Sequence, residues 1–333
     1  MPRVSLSELR DEFRRVLLGA GLAEERAELV ARLFAENQRD GVASHGLNRF
    51  PGLVAGLRSG DLEPGANPTK VGGLGALEQW DGGMGVGPWN AHYGMGRAIE
   101  LAREHGLGCV GLRNTNHWMR GGTYGLQAAD AGCIGICWTN TIPLMPPWGS
   151  AEAKIGNNPL VIAVPGPDGP LLLDMAMSQY SNGKLEILRQ QGKSLPIAGG
   201  FDREGNLTTD PAAILASRRA LPIGYWKGSA LAMMLDTVAA LVSGGQTSHE
   251  IGRQGKERAV SQVFLAIDVT ALRGETGLNA TVAAFVADLH TAQPLSPDEP
   301  VRYPGEGMLQ RRQESGRNGV WVDEKQWAAL RAM

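Results

Sequence analysis

The sequence predicts a mixed α/β protein whose two chain ends together form a helical subdomain. Apolar residues recur with helical spacing through roughly the first 60 residues and return to it near the C-terminus. Between these ends, short apolar runs alternate with helical segments and with turns rich in glycine and proline. We therefore expect a helical subdomain over residues 1–72, completed by about 301–333, and an α/β core over residues 73–300.

The N-terminal part of the chain is mostly helical. Helices are predicted at residues 5–19, 23–38 and 48–58 from the spacing of their apolar residues. Ser5 or Ser7 is suited to cap the first helix, because a serine side chain accepts a hydrogen bond from a free N–H of the first turn.

Proline and glycine mark the ends of several elements in the core. Pro88 favours the first turn of a helix that runs to about His105, and Gly106 ends it. Segments 72–80 and 82–87 are predicted to be turn-rich. Strands are predicted at residues 109–112, 134–138, 160–164, 171–177 and 263–267, and helices at residues 122–131, 227–242, 280–289, 308–314 and 324–332.

Composition argues against several classes of protein. The 333 residues carry 32 basic and 34 acidic side chains, so no excess charge attracts nucleic acid or an anionic membrane. Cys109, Cys133 and Cys137 lie in apolar runs, from which we expect reduced thiols and no metal site. The chain has no apolar signal segment and no run of about 18 apolar residues, so we expect a cytoplasmic protein.

Gly106, Gly108 and Gly111 match the G-x-G-x-x-G pattern of dinucleotide-binding folds. That site needs a strand before the glycines and a helix after them, because the helix N-terminus faces the pyrophosphate. Here a predicted helix ends at Gly106 and a strand follows. We therefore interpret the glycines as a helix end followed by the start of a strand.

His45 is the first candidate for acid–base chemistry. It stands in GVASHGLNRFP, with Ser44 before it and Arg49 four residues after it. A histidine pKa near neutrality suits a proton donor, and a guanidinium binds a carboxylate through two parallel hydrogen bonds. The segment suits an anionic substrate, but a capped helix with a structural histidine would have the same pattern.

Further candidates are found in two other segments. His117 follows a predicted strand in RNTNHWMRGG, where functional residues often collect, although a structural turn would look the same. Trp118 and Trp226 either shape a sugar or nicotinamide pocket or belong to the core. Lys227 begins an apolar helix, where its charge opposes the helix dipole, and this conflict suggests a role such as holding a cofactor phosphate.

Seven long segments resemble one enzyme family. They are GVASHGLNRFP, GALEQWDG, RNTNHWMRGGTYG, GICWTNTIPLMPPWG, IGNNPL, LPIAGGFDREGNLT and LPIGYWKGSALAMMLD. In them the chain is similar to the bacterial 2,3-diketo-L-gulonate reductases of the malate/L-lactate dehydrogenase superfamily, and the resemblance runs from the first helix to the last. It implies an α/β fold that is not a Rossmann fold, and a homodimer with its active site near the subunit interface.

The resemblance also implies roles for individual residues. His45 would donate a proton to the substrate carbonyl oxygen, and Ser44, Arg49, His117 and Trp118 would line the substrate pocket. Cofactor contacts are expected at Leu172, Leu173, Asp174, Met175, Ala176, Met177, Ser178, Trp226, Lys227, Gly305, Glu306 and Gly307. The reductases carry Gly-His-Glu where this chain has Gly-Glu-Gly at 305–307, and an acidic side chain beside the adenosine ribose would favour NADH by repelling a 2′-phosphate.

We therefore expect NADH, with NADPH as the alternative cofactor, to reduce 2,3-diketo-L-gulonate to 3-dehydro-L-gulonate, with His45 supplying the proton. One alternative is a sibling dehydrogenase for malate, lactate, ureidoglycolate, another 2-oxo acid or a cyclic imino acid. Another is a non-catalytic protein that binds a nucleotide or a sugar acid. The intact His45, Arg49 and His117 argue against the non-catalytic alternative.

Overall fold

A seven-stranded mixed sheet forms the centre of the molecule, and a computed structural model describes residues 2–333. The large sheet contains β2 (Thr69–Leu74), β3 (Leu77–Asp81), β4 (Leu107–Thr115), β5 (Cys133–Thr139), β6 (Leu160–Val164), β7 (Leu171–Met175) and β10 (Val260–Asp268). Two short pairs are formed by β1 (Arg3–Val4) with β11 (Val320–Trp321), and by β8 (Gly200–Phe201) with β9 (Leu207–Thr208).

Helices surround this sheet and continue into both chain ends. They are α1 (Leu6–Gly19), α2 (Glu24–Arg39), α3 (Phe50–Ser59), α4 (Gly87–His105), α5 (Gly122–Asp130), α6 (Asn182–Gln190), α7 (Pro211–Ser217), α8 (Trp226–Ser243), α9 (Ser248–Arg253), α10 (Val269–His290), α11 (Glu306–Asn318) and α12 (Glu324–Ala332). Over residues 2–333, no helix combines the length and the apolar character needed to cross a bilayer.

The two ends of the chain share one hydrophobic core. Ser5 caps α1 by accepting a hydrogen bond from the N–H of Glu8 at 3.0 Å, which confirms the first of the two predicted caps. Phe13, Phe34 and Phe50 come from α1, α2 and α3 and pack with ring centroids between 4.5 and 5.6 Å apart. The pairing of β1 with β11 brings the C-terminal segment to the same core.

The large sheet has the order β2-β3-β4-β10-β5-β6-β7, with β10 at its centre. The first five residues of β10 are buried, as expected for a strand covered on both faces. Only β3 and β4 pair in parallel, and the other five pairings are antiparallel. Because a Rossmann sheet is mostly parallel, this topology confirms the non-Rossmann α/β fold that the resemblance implies.

The glycines of GLGCVG permit close packing of helices. Gly106 ends α4 with a φ of 83°. A Cβ on Gly108 would lie 2.1 Å from the carbonyl oxygen of Ala98 in α4, and one on Gly111 would lie 2.7 Å from that of Val242 in α8. Both glycines lie within β4, so the predicted order of helix end and then strand is confirmed.

The turn-rich interpretation of segment 72–80 is wrong, because this segment forms most of the edge hairpin β2–β3. Gly75 makes the turn with a φ of 57°. Glu78 is only 2% exposed, and its carboxylate accepts hydrogen bonds from Arg97 at 2.9 Å and Lys70 at 2.6 Å. With two glycines in β2 and a buried carboxylate in β3, neither strand has the apolar alternation by which a strand is recognised.

Other differences concern element ends and short elements. The strand predicted at 171–177 ends at Met175. The helix predicted at 280–289 begins earlier, at Val269, and is kinked at Gly274, which has a φ of 67°. The elements α6, α7, α9, β8 and β9 were not predicted; the two-residue strands and the six-residue helix α9 carry too little periodicity to stand out.

A buried carboxylate joins three parts of the chain. Asp40, at the end of α2, is 1% exposed and accepts hydrogen bonds of 2.8–3.0 Å from Arg39, Arg120 and Arg312. Burial by itself would raise the pKa of Asp40, but the hydrogen bonds from Arg312 and Arg39 and the charge of Arg120 lower it to about 2. The stabilisation is therefore present above about pH 4, where the unfolded carboxyl is ionised, and is lost towards pH 2.

We expect Asp40→Ala to lower the free energy of unfolding by about 3–5 kcal/mol, because it leaves buried guanidinium groups without their partner. Urea unfolding at pH 7 measures this loss. The matched control is Asp11→Ala, which removes a carboxylate whose side chain is 63% exposed and should cost less than about 0.5 kcal/mol. Equal unfolding midpoints for the two variants would contradict the role given to Asp40.

Candidate active site

All five residues predicted at the substrate line one cavity of about 340 Å³, here called the inner cavity. They are Ser44, His45, Arg49, His117 and Trp118. The cavity lies where the turn after α2, the loop after β4 and the end of β7 meet, so the fold brings together two histidines that are far apart in the sequence. Its wall also includes Asn48, Met119, Arg120, Thr139, Asn157, Asp174, Ala176 and Glu257.

His45 lies in a one-turn 3-10 helix that α2 holds in place. Asn37 donates its side-chain N–H to the His45 carbonyl at 3.1 Å. The next residue is a glycine, Gly46, and any larger residue would clash there, since a Cβ would lie 2.3 Å from the side-chain oxygen of Gln38. The Ser44 hydroxyl lies 3.1 Å from Nδ1 of His45, which leaves Nε2 as the ring nitrogen available to a ligand.

His117 stacks on His45 with ring centroids 5.7 Å apart and an interplanar angle of 20°. Its Nδ1 accepts the backbone N–H of Met119 at 2.9 Å, so the neutral ring carries its proton on Nε2. This nitrogen lies 3.9 Å from the Oε1 atom of Glu257. Sequence reasoning missed Glu257, because it stands in the charged run KER before β10, where surface residues are expected.

The surroundings keep both histidines neutral at pH 7. Burial, together with the charges of Arg49 and Arg120, lowers the pKa of His45 to about 4. Burial, Arg49 and His45 lower the pKa of His117 well below its ordinary value. The unfolded chain therefore binds more protons below about pH 6.5, and the contribution of these rings to the free energy of unfolding falls as the pH decreases.

Arg49 is the free cation of the site. Its exposed guanidinium forms no hydrogen bond or ion pair with any residue from 2 to 333. It precedes α3 and lines both the inner cavity and a neighbouring cavity. A carboxylate bound here would add negative charge beside His45 and would raise its pKa, which favours the protonated imidazole that a proton donor requires.

Two of the three segments predicted at the cofactor adjoin each other. The N–H of Leu172 donates to the carbonyl of Pro304 at 2.8 Å, and a Cβ on Gly305 would lie 2.9 Å from the Leu172 nitrogen. A cavity of about 460 Å³, here called the C-terminal cavity, is lined by Leu171, His290, Tyr303 and Glu306, among others. Because Asp174 lines the inner cavity, β7 runs from one cavity to the other.

The third cofactor segment lies elsewhere. Trp226, at the start of α8, is 60% exposed, and Lys227 beside it is also exposed. Neither residue lines the inner or the C-terminal cavity. Of the remaining predicted cofactor residues, Leu173, Met175, Ala176 and Gly307 are half-buried, and Met177 and Ser178 are buried.

Trp118 belongs largely to the hydrophobic core. It is 2% exposed, and its ring packs against Tyr124 and Phe264 with centroids 5.6 and 5.9 Å away. The hydroxyl of Tyr124 donates to the Trp118 carbonyl at 2.5 Å. Trp118 therefore contributes to the cavity wall mainly as a buried core residue, and its packing stabilises the loop that carries His117.

Comparisons with known proteins agree over almost the whole chain. The sequence profile of the malate/L-lactate dehydrogenase family matches residues 4–331. A protein of Citrobacter koseri named 2,3-diketo-L-gulonate reductase is 46% identical over 333 residues, covering 99% of this chain and 100% of the relative. A protein of the same name from Klebsiella pneumoniae is 45% identical with the same coverage. Malate dehydrogenase from Entamoeba histolytica has a TM-score of 0.94 at 26% identity, covering 99% of this chain and 96% of that one.

We expect Arg49→Gln to raise the pKa of His45 above about 4, because the substitution removes the charge next in importance to burial. The pKa should remain below 6.5, since burial itself remains. NMR titration of labelled histidine measures it, with His45→Gln identifying the resonance. The control is Arg58→Gln, which replaces an exposed arginine in the last turn of α3, the helix that Arg49 precedes, and should leave the titration of His45 unchanged. Identical His45 titrations in both variants would show that Arg49 has no such influence.

Proposed function

Because the chain belongs to the malate/L-lactate dehydrogenase family, we propose that it reduces the keto group next to the carboxylate of a sugar acid, converting 2,3-diketo-L-gulonate to 3-dehydro-L-gulonate. The chain is an oxidoreductase. The observation that carries the proposal is the unpaired Arg49 in the same cavity as His45. The name of the relative at 46% identity supports the choice of substrate.

The residues of the inner cavity have complementary tasks in this reaction. Arg49 binds the substrate carboxylate and thereby raises the pKa of His45. Ser44 holds the His45 ring through Nδ1, so that Nε2 donates the proton to the keto oxygen as negative charge develops there. A nicotinamide cofactor would supply the hydride to the keto carbon. The hydride and the proton together convert the ketone to an alcohol.

The residues present fit a dinucleotide. Strand β7 joins the inner cavity to the C-terminal cavity, which gives an extended cofactor one site at each end. Arg120 lines the inner cavity, and its Nε atom is buried without a hydrogen-bond partner among residues 2–333, although the Asp174 carboxylate lies 3.8 Å away. We assign the nicotinamide end to the inner cavity and the adenosine end to the C-terminal cavity.

We expect His45→Ala to lower kcat by about 10²–10⁴-fold, because it removes the proton donor. NADH consumption with 2,3-diketo-L-gulonate, pyruvate and oxaloacetate measures turnover, and fluorescence titration measures NADH binding, which should be unchanged. The control is His105→Ala, whose side chain is 40% exposed and lines neither cavity.

If His45→Ala retained near-normal turnover, His45 would not be the proton donor, and His117 would become the candidate for that role. Turnover by the native protein only with pyruvate or oxaloacetate would keep the site but assign a sibling dehydrogenase activity. Binding of NADH without turnover of any acid would favour a non-catalytic binding protein.

We propose NADH rather than NADPH as the cofactor. The carboxylate of Glu306 lies in the C-terminal cavity, 3.2 Å from Nε2 of His290, and accepts the N–H of Tyr303 at 3.2 Å. With the adenosine end in this cavity, the carboxylate would accept a hydrogen bond from a ribose hydroxyl and repel a 2′-phosphate.

We expect Glu306→Gln to raise kcat/KM for NADPH relative to NADH by at least about tenfold, because the amide keeps the side-chain size but removes the like charge. Steady-state kinetics with each cofactor give the ratio. The control is Glu314→Gln. Glu314 also lies in α11, and its side chain is 53% exposed. An unchanged ratio in Glu306→Gln would place the adenosine ribose elsewhere.

A homodimer is a further part of the proposal. Helix α8 leaves Met233, Met234 and Leu241 49–73% exposed, beside the exposed Trp226. Exposed large apolar side chains spaced about seven residues apart lie on one side of a helix, and contiguous apolar surfaces mark interaction sites. A second copy on this face would cover them and place Trp226 and Lys227 at the interface, as the resemblance implies for the active site.

The cytoplasmic location and the domain boundary between residues 72 and 73 stay predictions.

A further inference from the structure

A second cavity of about 380 Å³, here called the outer cavity, lies between α3 and the segment that precedes β10. It shares the wall residues Asn48, Arg49, His117, Met119 and Glu257 with the inner cavity. The residues proposed to bind the substrate therefore face two spaces. Only the inner cavity includes His45.

Two of the residues by which α3 borders the outer cavity are glycines. Gly52 and Gly56 are four residues apart, so they lie on the same face, and both line the cavity. A glycine inside a helix costs about 1 kcal/mol relative to alanine. Gly56 has a packing reason, since a Cβ there would lie 3.1 Å from the Leu62 side chain, but a Cβ on Gly52 would meet nothing within 4 Å. Gly52 is exposed and lines the outer cavity, so a larger side chain at this position would extend into open space beside the cavity.

The lining of the outer cavity is suited to hydroxyl groups. Lys256 and Arg258 lie 3.0 and 3.8 Å from the Asp61 carboxylate, which links the segment before β10 to the end of α3. Three basic and two acidic side chains line the cavity, with the amides of Asn48 and Asn116 beside them. The lining therefore offers both donors and acceptors without a large excess of either charge, which suits a polyhydroxylated chain better than a second anion or an alkyl chain.

Volume also favours a separate place for such a chain. Ligand pockets commonly measure about 300–1,000 Å³, and the inner cavity, at about 340 Å³, lies at the lower end of that range. Under the proposed function it must hold the nicotinamide ring as well as the carboxylate and keto carbon. Little of it remains for the other carbons of a six-carbon acid.

We propose that the outer cavity binds the hydroxylated tail of the substrate, and that Gly52 determines how long a tail the enzyme accepts. This inference rests on the proposed function, because the reacting end must lie in the inner cavity. The tail would pass Arg49 and His117 into the space beside α3, where Asn48, Asp61 and Lys256 provide partners for its hydroxyls. Short 2-oxo acids would use the inner cavity alone.

The test fills the outer cavity from Gly52. Gly52→Leu places a side chain into it, and Gly52→Ala is the reference with a single added methyl group. Gly316→Leu is the matched control, because Gly316 is also helical, has nothing within 4 Å of a Cβ and lines neither cavity. Isothermal titration of the full-length protein with NADH present measures the Kd of L-gulonate, a six-carbon acid, and of oxamate, a three-carbon analogue of a 2-oxo acid.

We expect Gly52→Leu to raise the Kd of L-gulonate at least tenfold over Gly52→Ala, while the Kd of oxamate changes less than twofold. Gly316→Leu should change neither. An unchanged Kd for L-gulonate, or an equal rise for both acids, would overturn the inference. Failure of the proposed function would be seen in a different experiment, as the absence of NADH-dependent reduction of any 2-oxo acid by the native protein. The binding comparison would still test the tail site in that case.

Discussion

The buried carboxylate of Asp40 is the interaction on which the arrangement of the site depends. It receives guanidinium groups from α2, from the loop after β4 and from α11, three segments that lie far apart in the sequence. Arg120 also lines the inner cavity and approaches Asp174 at the end of β7. The ion cluster therefore ties the helices of both chain ends to the sheet at the place where His45 and His117 meet.

The site uses burial to control protonation. Both imidazoles are neutral in a cavity that Arg49 also lines, with a guanidinium that forms no hydrogen bond or ion pair among residues 2–333. Burial also raises the pKa of Glu257, although Arg49 and the N–H of Ile142 oppose the change. The pKa values of such buried groups respond strongly to an added anion, because a low dielectric screens the interaction between two charges only weakly. Under the proposed function, the substrate carboxylate prepares its own proton donor.

Glycine has two opposite uses in this fold. Gly108 and Gly111 remove side chains so that α4 and α8 approach β4 closely, where any Cβ would collide with a backbone carbonyl. Gly52 removes a side chain where nothing approaches, and the result is open space next to the site. The same residue type therefore closes the core in one place and opens a surface cavity in another, and only the surrounding atoms distinguish the two.

The sequence by itself determined the elements whose signals are local. Helix α1 was predicted from its apolar periodicity and its serine cap, and α4 from Pro88 in its first turn and Gly106 at its end, all of which lie within the helix or next to it. His45, Arg49 and His117 were recognised from the residue types around them, and the structure places all three in one cavity. Tertiary structure alone decided that residues 72–80 form most of a β-hairpin, since the charge of Glu78 in β3 is compensated by Arg97 from another element. It alone also decided that Glu257 faces His117 and that the imidazole pKa values fall, because burial and charge depend on distances between residues remote in sequence, which no local pattern encodes.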